Sequence, residues 1–110
     1  MTPKQFGRFL LRDASCWHCG AVTGLIPHHR INRGMGGSKA RHKPSNILVM
    51  CAEINGLMES DPEIARKARR YGWKLESWRD TEKEAVYSRV DDAWYTLKDD
   101  FSIRKHYGEL

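Results

Sequence analysis

Several groups of side chains in this chain have the types and spacing to do chemistry. Cys16-Trp17-His18-Cys19 sets two thiols three positions apart, and Cys51 adds a third. His28 and His29 are adjacent, Asn46 follows, and Asn55 and Glu59 stand four apart. Adjacent histidines at a strand end point in different directions, so one can hold a metal while the other faces a substrate. On a helix, Asn55 and Glu59 share a face and can converge on one ion. His28, Asn55 and Glu59 then form a mixed nitrogen and oxygen set. That set suits Mg²⁺, Mn²⁺ or a similar ion better than a closed structural zinc site. Between these groups run Arg30, Arg33, Lys39, Arg41 and Lys43 with no acid among them. Such a stretch attracts nucleic acid by neutralising phosphates and releasing counterions; as an ordinary solvated loop it would mean little.

The elements that must position these groups are readable in outline. Lys4–Arg12 has apolar residues at 6, 9 and 10, a short helical pattern. Ala21–His29 is apolar and partly β-branched and reads as a strand ending at the histidine pair. The stretch from Ile31 to Ser45, with Gly34, Gly36, Gly37 and Pro44, reads as a loop. Ile47–Met50 reads as a short buried strand, and a helix is expected from Cys51 or Ala52 to about Glu59. Asp61-Pro62-Glu63 is the start signal of a further helix, with Asp61 as N-cap and Gly72 as its stop. Trp73–Trp78 alternates in the manner of a strand. The tail has two readings. One is strands at Ala85–Tyr87, Ala93–Leu97 and Phe101–Ile103; the other is a single amphipathic helix over Thr81–Leu97. The apolar spacing of Val86, Val90, Ala93, Trp94 and Leu97 favours the helix.

The chain has 110 residues, 40% hydrophobic and 30% charged, which bounds it to one domain with a small core. No stretch approaches the roughly 18 apolar residues of a membrane span. The first thirteen residues carry Lys4, Arg8 and Arg12 among their apolar residues and do not read as a signal peptide, so a cytoplasmic location is expected. Three cysteines is an odd count, which speaks against a secreted disulfide framework and for metal or redox chemistry. The net charge of +5 is unevenly spread: residues 1–50 carry eight Lys/Arg against the single acid Asp13, and the rest of the chain is slightly acidic.

In His28-His29-Arg30, Arg33-Gly34-Met35-Gly36-Gly37-Ser38, Pro44 to Cys51, Asn55-Gly56-Leu57-Met58-Glu59-Ser60 and Gly72-Trp73, the sequence resembles the HNH endonucleases. It looks closest to the small ones of bacteriophage and prophage genomes. The resemblance covers roughly residues 16–75 and rests on order and spacing together. It implies an α+β fold built on a ββα-metal finger, with a flanking N-terminal helix over 4–12 and a C-terminal extension over 78–110. It implies that His29 is the general base, that Asn46 orients it through side-chain to backbone bonds, and that His28 and Asn55 hold the metal, with Glu59 as a further ligand where some members carry a metal-binding histidine. Asn55 stands where many members have histidine, which makes the motif His-Asn-Asn. The implied activity is hydrolysis of DNA phosphodiesters with Mg²⁺ or Mn²⁺, or with Ni²⁺ or Zn²⁺. DNA is the implied partner, contacted by the Arg30 to Lys43 stretch. By resemblance only, a terminase or other packaging protein joins it, in the host-cell cytoplasm if the chain is phage-encoded. A monomer and a homodimer are both compatible with one such site.

The cysteines depart from that family's fuller pattern. Many relatives bind structural zinc with two Cys-x-x-Cys pairs; here Cys16, Cys19 and Cys51 fill three places and the fourth falls on Ile54. Zinc would need His18, His42 or another substitute; alternatively the thiols are reduced core residues. His42 and His106 have no evident partner, and Trp73, Trp78 and Trp94 read as core. Two other functions fit the same residues: a non-catalytic nucleic-acid-binding module, and a zinc-knuckle adaptor that binds protein.

Overall fold

A computed structural model describes residues 1–32 and 42–107. Three α-helices and two small antiparallel sheets make up an α+β fold: α1 (Pro3–Asp13), β1 (Leu25–His29), a 3-10 turn (Pro44–Asn46), β2 (Ile47–Cys51), α2 (Ala52–Ser60), α3 (Pro62–Arg70), β3 (Val86–Ser88), β4 (Ala93–Leu97) and β5 (Ile103–His106). No helix among the described residues is long and apolar enough to cross a membrane.

Local signals start each helix. Thr2 caps α1 and exchanges bonds with Gln5 in a capping box, with Pro3 at the first position. Asp61 caps α3 by accepting from the amides of Glu63 and Ile64. The thiol of Cys51 caps α2, accepting from the Ile54 amide. Gly72 stops the run after α3 at a positive φ of 76°, and a Cβ there would lie 2.2 Å from the Ala85 carbonyl oxygen. Only glycine fits a backbone crossing that close.

β1 pairs antiparallel with β2 in the register Leu25↔Cys51 to His29↔Ile47. All five residues of β2 are buried because both faces are covered. Ile47 and Val49 pack on Phe9 of α1, while Leu48 and Met50 enter the main core with Trp17, Met58, Trp73 and Leu97. A strand enclosed on both sides reads as a continuous apolar run, which is how Ile47–Met50 reads. The buried Arg12–Asp13 pair fastens α1 to this strand. Asp13 accepts from the Val49 amide, and Arg12 donates to the carbonyls of Pro44 and Ile47.

The tail differs from the helix that its spacing favoured. β3, β4 and β5 form a three-stranded antiparallel sheet, with Val86↔Tyr95 and Trp94↔His106 among its pairs. Asp91 and Asp92 explain the outcome. Asp92 has φ 51°, Asp91 receives the Tyr95 hydroxyl, and Asp92 receives the Tyr87 hydroxyl. The acid pair builds a turn, and the aromatic and β-branched residues around it take the strands they prefer. Val90, placed on the apolar face by the helical reading, is 56% exposed. Trp73–Trp78 forms no strand, and β1 begins only at Leu25, after Gly24 at φ 66°.

Arg30 holds these pieces together. Its side chain is fully buried and donates to four carbonyls: Gly72 (2.8 Å), Ser45 (2.9 Å), Thr81 (3.0 Å) and Glu84 (2.8 Å). Burial lowers its pKa to about 10, so it stays charged at neutral pH. This corrects the expectation that Arg30 contacts DNA: its donors are all turned inward. Lys43 is exposed, and Arg33, Lys39 and Arg41 lie outside the described residues.

Candidate active site

His28 is the fourth residue of β1 and faces inward, 3% exposed, while His29 ends the strand half-buried. Asn55 stands one turn into α2. The chain after Gly72 returns beneath both and presents the Trp73 carbonyl. His28 Nε2 lies 2.6 Å from that oxygen and Nδ1 lies 2.9 Å from Asn55 Oδ1. A carbonyl can only accept, so Nε2 carries the proton and Nδ1 presents a lone pair. That lone pair meets an amide oxygen, another acceptor. Either a cation sits between them or the Asn55 amide reverses and its Nδ2–H donates to the ring. Burial drives the His28 pKa down to about 4, against the weaker upward pull of the Trp73 carbonyl, so the ring is neutral at physiological pH.

An open cleft of about 340 Å³ runs over His28, His29, Asn55 and Glu59. Sequence reasoning missed two further residues in it. The His42 ring stands edge-on to His29, with centroids 5.5 Å apart. Lys74 reaches in from the segment after α3, its Nζ 2.9 Å from Glu59 Oε1 and 2.7 Å from Asn32 Oδ1. Glu59 therefore faces the cleft in an ion pair with Lys74, which lowers its pKa, rather than in contact with His28 or Asn55. No sequence spacing announces Lys74, whose partners come from the β1 exit and from α2.

Asn46 lies beside the base candidate rather than in the cleft. Buried in the 3-10 turn, its Oδ1 accepts from the Ile31 amide at 2.8 Å, and its Nδ2 lies 3.4 Å from the Ile31 carbonyl. Its own carbonyl accepts from the Arg30 amide at 2.8 Å. These bonds fix the backbone immediately after His29.

A second cluster lies at the opposite end of the β1–β2 hairpin. The sulfur atoms of Cys16, Cys19 and Cys51 lie within 4.8 Å of one another, close enough to bind a metal ion, and none is in a disulfide. Cys19 and Cys51 are 3.7 Å apart. The Cys16–Gly20 turn is closed by the Gly20 amide on the Cys16 carbonyl, with Gly20 at φ 77°. Ile54 in the first turn of α2 is buried and offers no ligand. His18 is not among the ligand atoms that converge there.

No protein-family model, no curated protein and no solved structure matches this chain.

Proposed function

We propose that this protein is a divalent-metal-dependent endonuclease of the HNH type, a ββα-metal finger that hydrolyses DNA phosphodiesters. One observation carries the reading. A neutral imidazole lone pair and an amide oxygen converge 2.9 Å apart in a cleft that also contains a second histidine. Adjacent ligands of an octahedral ion with bonds of about 2.1 Å are separated by about 3.0 Å, so the pair fits a small hard cation. The remaining ring nitrogen donates to a backbone carbonyl, the usual outer support of a metal-bound histidine.

His28 and Asn55 would hold the divalent cation, which would supply charge neutralisation to the phosphodiester. The chain supplies the rest. His29 takes the proton of the attacking water as its oxygen bonds to phosphorus and the P–O ester bond breaks. Asn46, a positioning residue, fixes the backbone beside that base. Lys74 holds Glu59 to one side of the cleft.

We assign the three thiols to zinc. Tetrahedral zinc with Zn–S bonds of about 2.3 Å separates its sulfurs by about 3.8 Å, close to the Cys19–Cys51 spacing. The role would be structural: Cys16 and Cys19 of the turn and Cys51 at the start of α2 would share the ion, tying the turn to the helix that carries Asn55.

The test is relaxation of supercoiled plasmid with Mg²⁺, Mn²⁺ or EDTA. The proposal expects metal-dependent nicking that disappears in His29→Ala. Retarded migration of DNA without cutting under any metal would leave a binding module instead.

A further inference from the structure

A second cleft adjoins the first. It has a volume of about 330 Å³, at the low end of the roughly 300–1,000 Å³ of small-ligand clefts, and Asn32, Glu59 and Lys74 line both. Its far wall carries Arg69 of α3 and Trp78. Trp78 is 76% exposed, whereas Trp17 and Trp73 are core residues. The acids along the cleft are already paired, Glu59 with Lys74 and Glu76 with Arg79. Among the described residues no carboxylate forms an ion pair with Arg66 or Arg69, which are three apart on α3 and both exposed.

We infer that this cleft holds the unpaired stretch of DNA next to the scissile phosphate, with one base stacked on the Trp78 indole and the flanking phosphate on Arg69. The inference rests on the nuclease reading for the meaning of the first cleft. Arg69, exposed and in no ion pair among the described residues, gives this wall one guanidinium that can meet a phosphate. An exposed indole beside it offers a π-face that any base can cover. The shared floor of Asn32, Glu59 and Lys74 makes the two clefts one continuous track.

The experiment is fluorescence anisotropy of a labelled 15-nucleotide single strand with the whole zinc-loaded protein, without added Mg²⁺ or Mn²⁺ and without chelator, over a salt series. Trp78→Ala is expected to weaken binding about tenfold with an unchanged salt dependence, and Trp78→Phe to restore most of it. Arg69→Ala is expected to lower the slope of log K against log salt by about 0.7, the loss of one single-strand phosphate contact. Arg104→Ala, on β5 outside both clefts, serves as the control. Wild-type-like binding by Trp78→Ala and Arg69→Ala overturns the inference even if the wild type cuts plasmid. Trp78-dependent binding by a protein that never cuts supports the cleft and defeats the nuclease. Absence of single-strand binding by a wild type that nicks plasmid defeats the inference and leaves the nuclease standing.

Discussion

The two ends of the β1–β2 hairpin carry two ligand clusters of opposite character. At the end where Leu25 meets Cys51, three sulfurs gather at a tight turn. At the end where His29 meets Ile47, a buried imidazole and an amide face an open cleft. Soft thiolates suit zinc and hold structure, while nitrogen and oxygen beside open space suit a hard cation and leave room for substrate. α2 links them: Cys51 caps it and Asn55 stands one turn further on. One short helix serves both, and so does Trp73, whose ring meets His18 and whose carbonyl faces His28, so damage at the sulfur end should reach the reactive end through Asn55 and Trp73.

The sharpest break of this comparison is His29→Ala. It should lower nicking by about 10²–10⁴-fold, the usual weight of a general base, with little change in thermal stability. Differential scanning fluorimetry beside the plasmid assay separates the two. Arg30→Ala should do the reverse, destabilising by several kcal/mol because three buried carbonyls and a part-buried one lose their donor; chemical denaturation reads it directly.

His28 has a folded pKa near 4 against about 6.5 unfolded, so the unfolded chain binds more protons between those values. Stability of the metal-free protein is fully present above pH 6.5 and falls as pH drops toward 4. The loss is on the order of 3 kcal/mol, since one pKa unit is about 1.4 kcal/mol. Urea titrations at pH 7 and pH 4.5 measure it, and His28→Gln should flatten this part of the profile. Cys19→Ser should cost the zinc stoichiometry found by elemental analysis and lower the melting temperature, leaving residual nicking. Glu59→Gln is the smallest change. Its side chain is 66% exposed, and such ion pairs contribute about 0–1 kcal/mol. Stability and Mn²⁺ affinity should therefore hardly move, whereas a metal-ligand Glu59 would lose affinity about tenfold or more.

What was legible in the sequence was local. Asp61-Pro62 announces α3 because capping depends on neighbours, and the apolar run Ile47–Met50 announces β2 because both its faces are covered. The histidine pair at a strand end and Asn55 one turn into α2 were also legible, because strand and helix periods fix where such residues point. The rest depended on partners distant in sequence. Arg30 looks like one more loop cation until the carbonyls of Gly72, Thr81 and Glu84 fold around it. Lys74 gives no local sign of meeting Glu59. The helical spacing from Val86 to Leu97 coexists with residues that favour strands, and the Asp91-Asp92 turn decides between them.

The most direct test of the central claim, that His28 and Asn55 hold a hard cation, is Mn²⁺ binding followed by electron paramagnetic resonance. It should be run on the zinc-loaded wild type, on zinc-loaded Asn55→Ala, and on Cys19→Ser as purified. The expected result is one Mn²⁺ per wild-type chain, affinity at least about tenfold lower in Asn55→Ala, and a smaller loss in Cys19→Ser. Equal Mn²⁺ affinity in the wild type and Asn55→Ala, or no Mn²⁺ bound by the wild type, would contradict it.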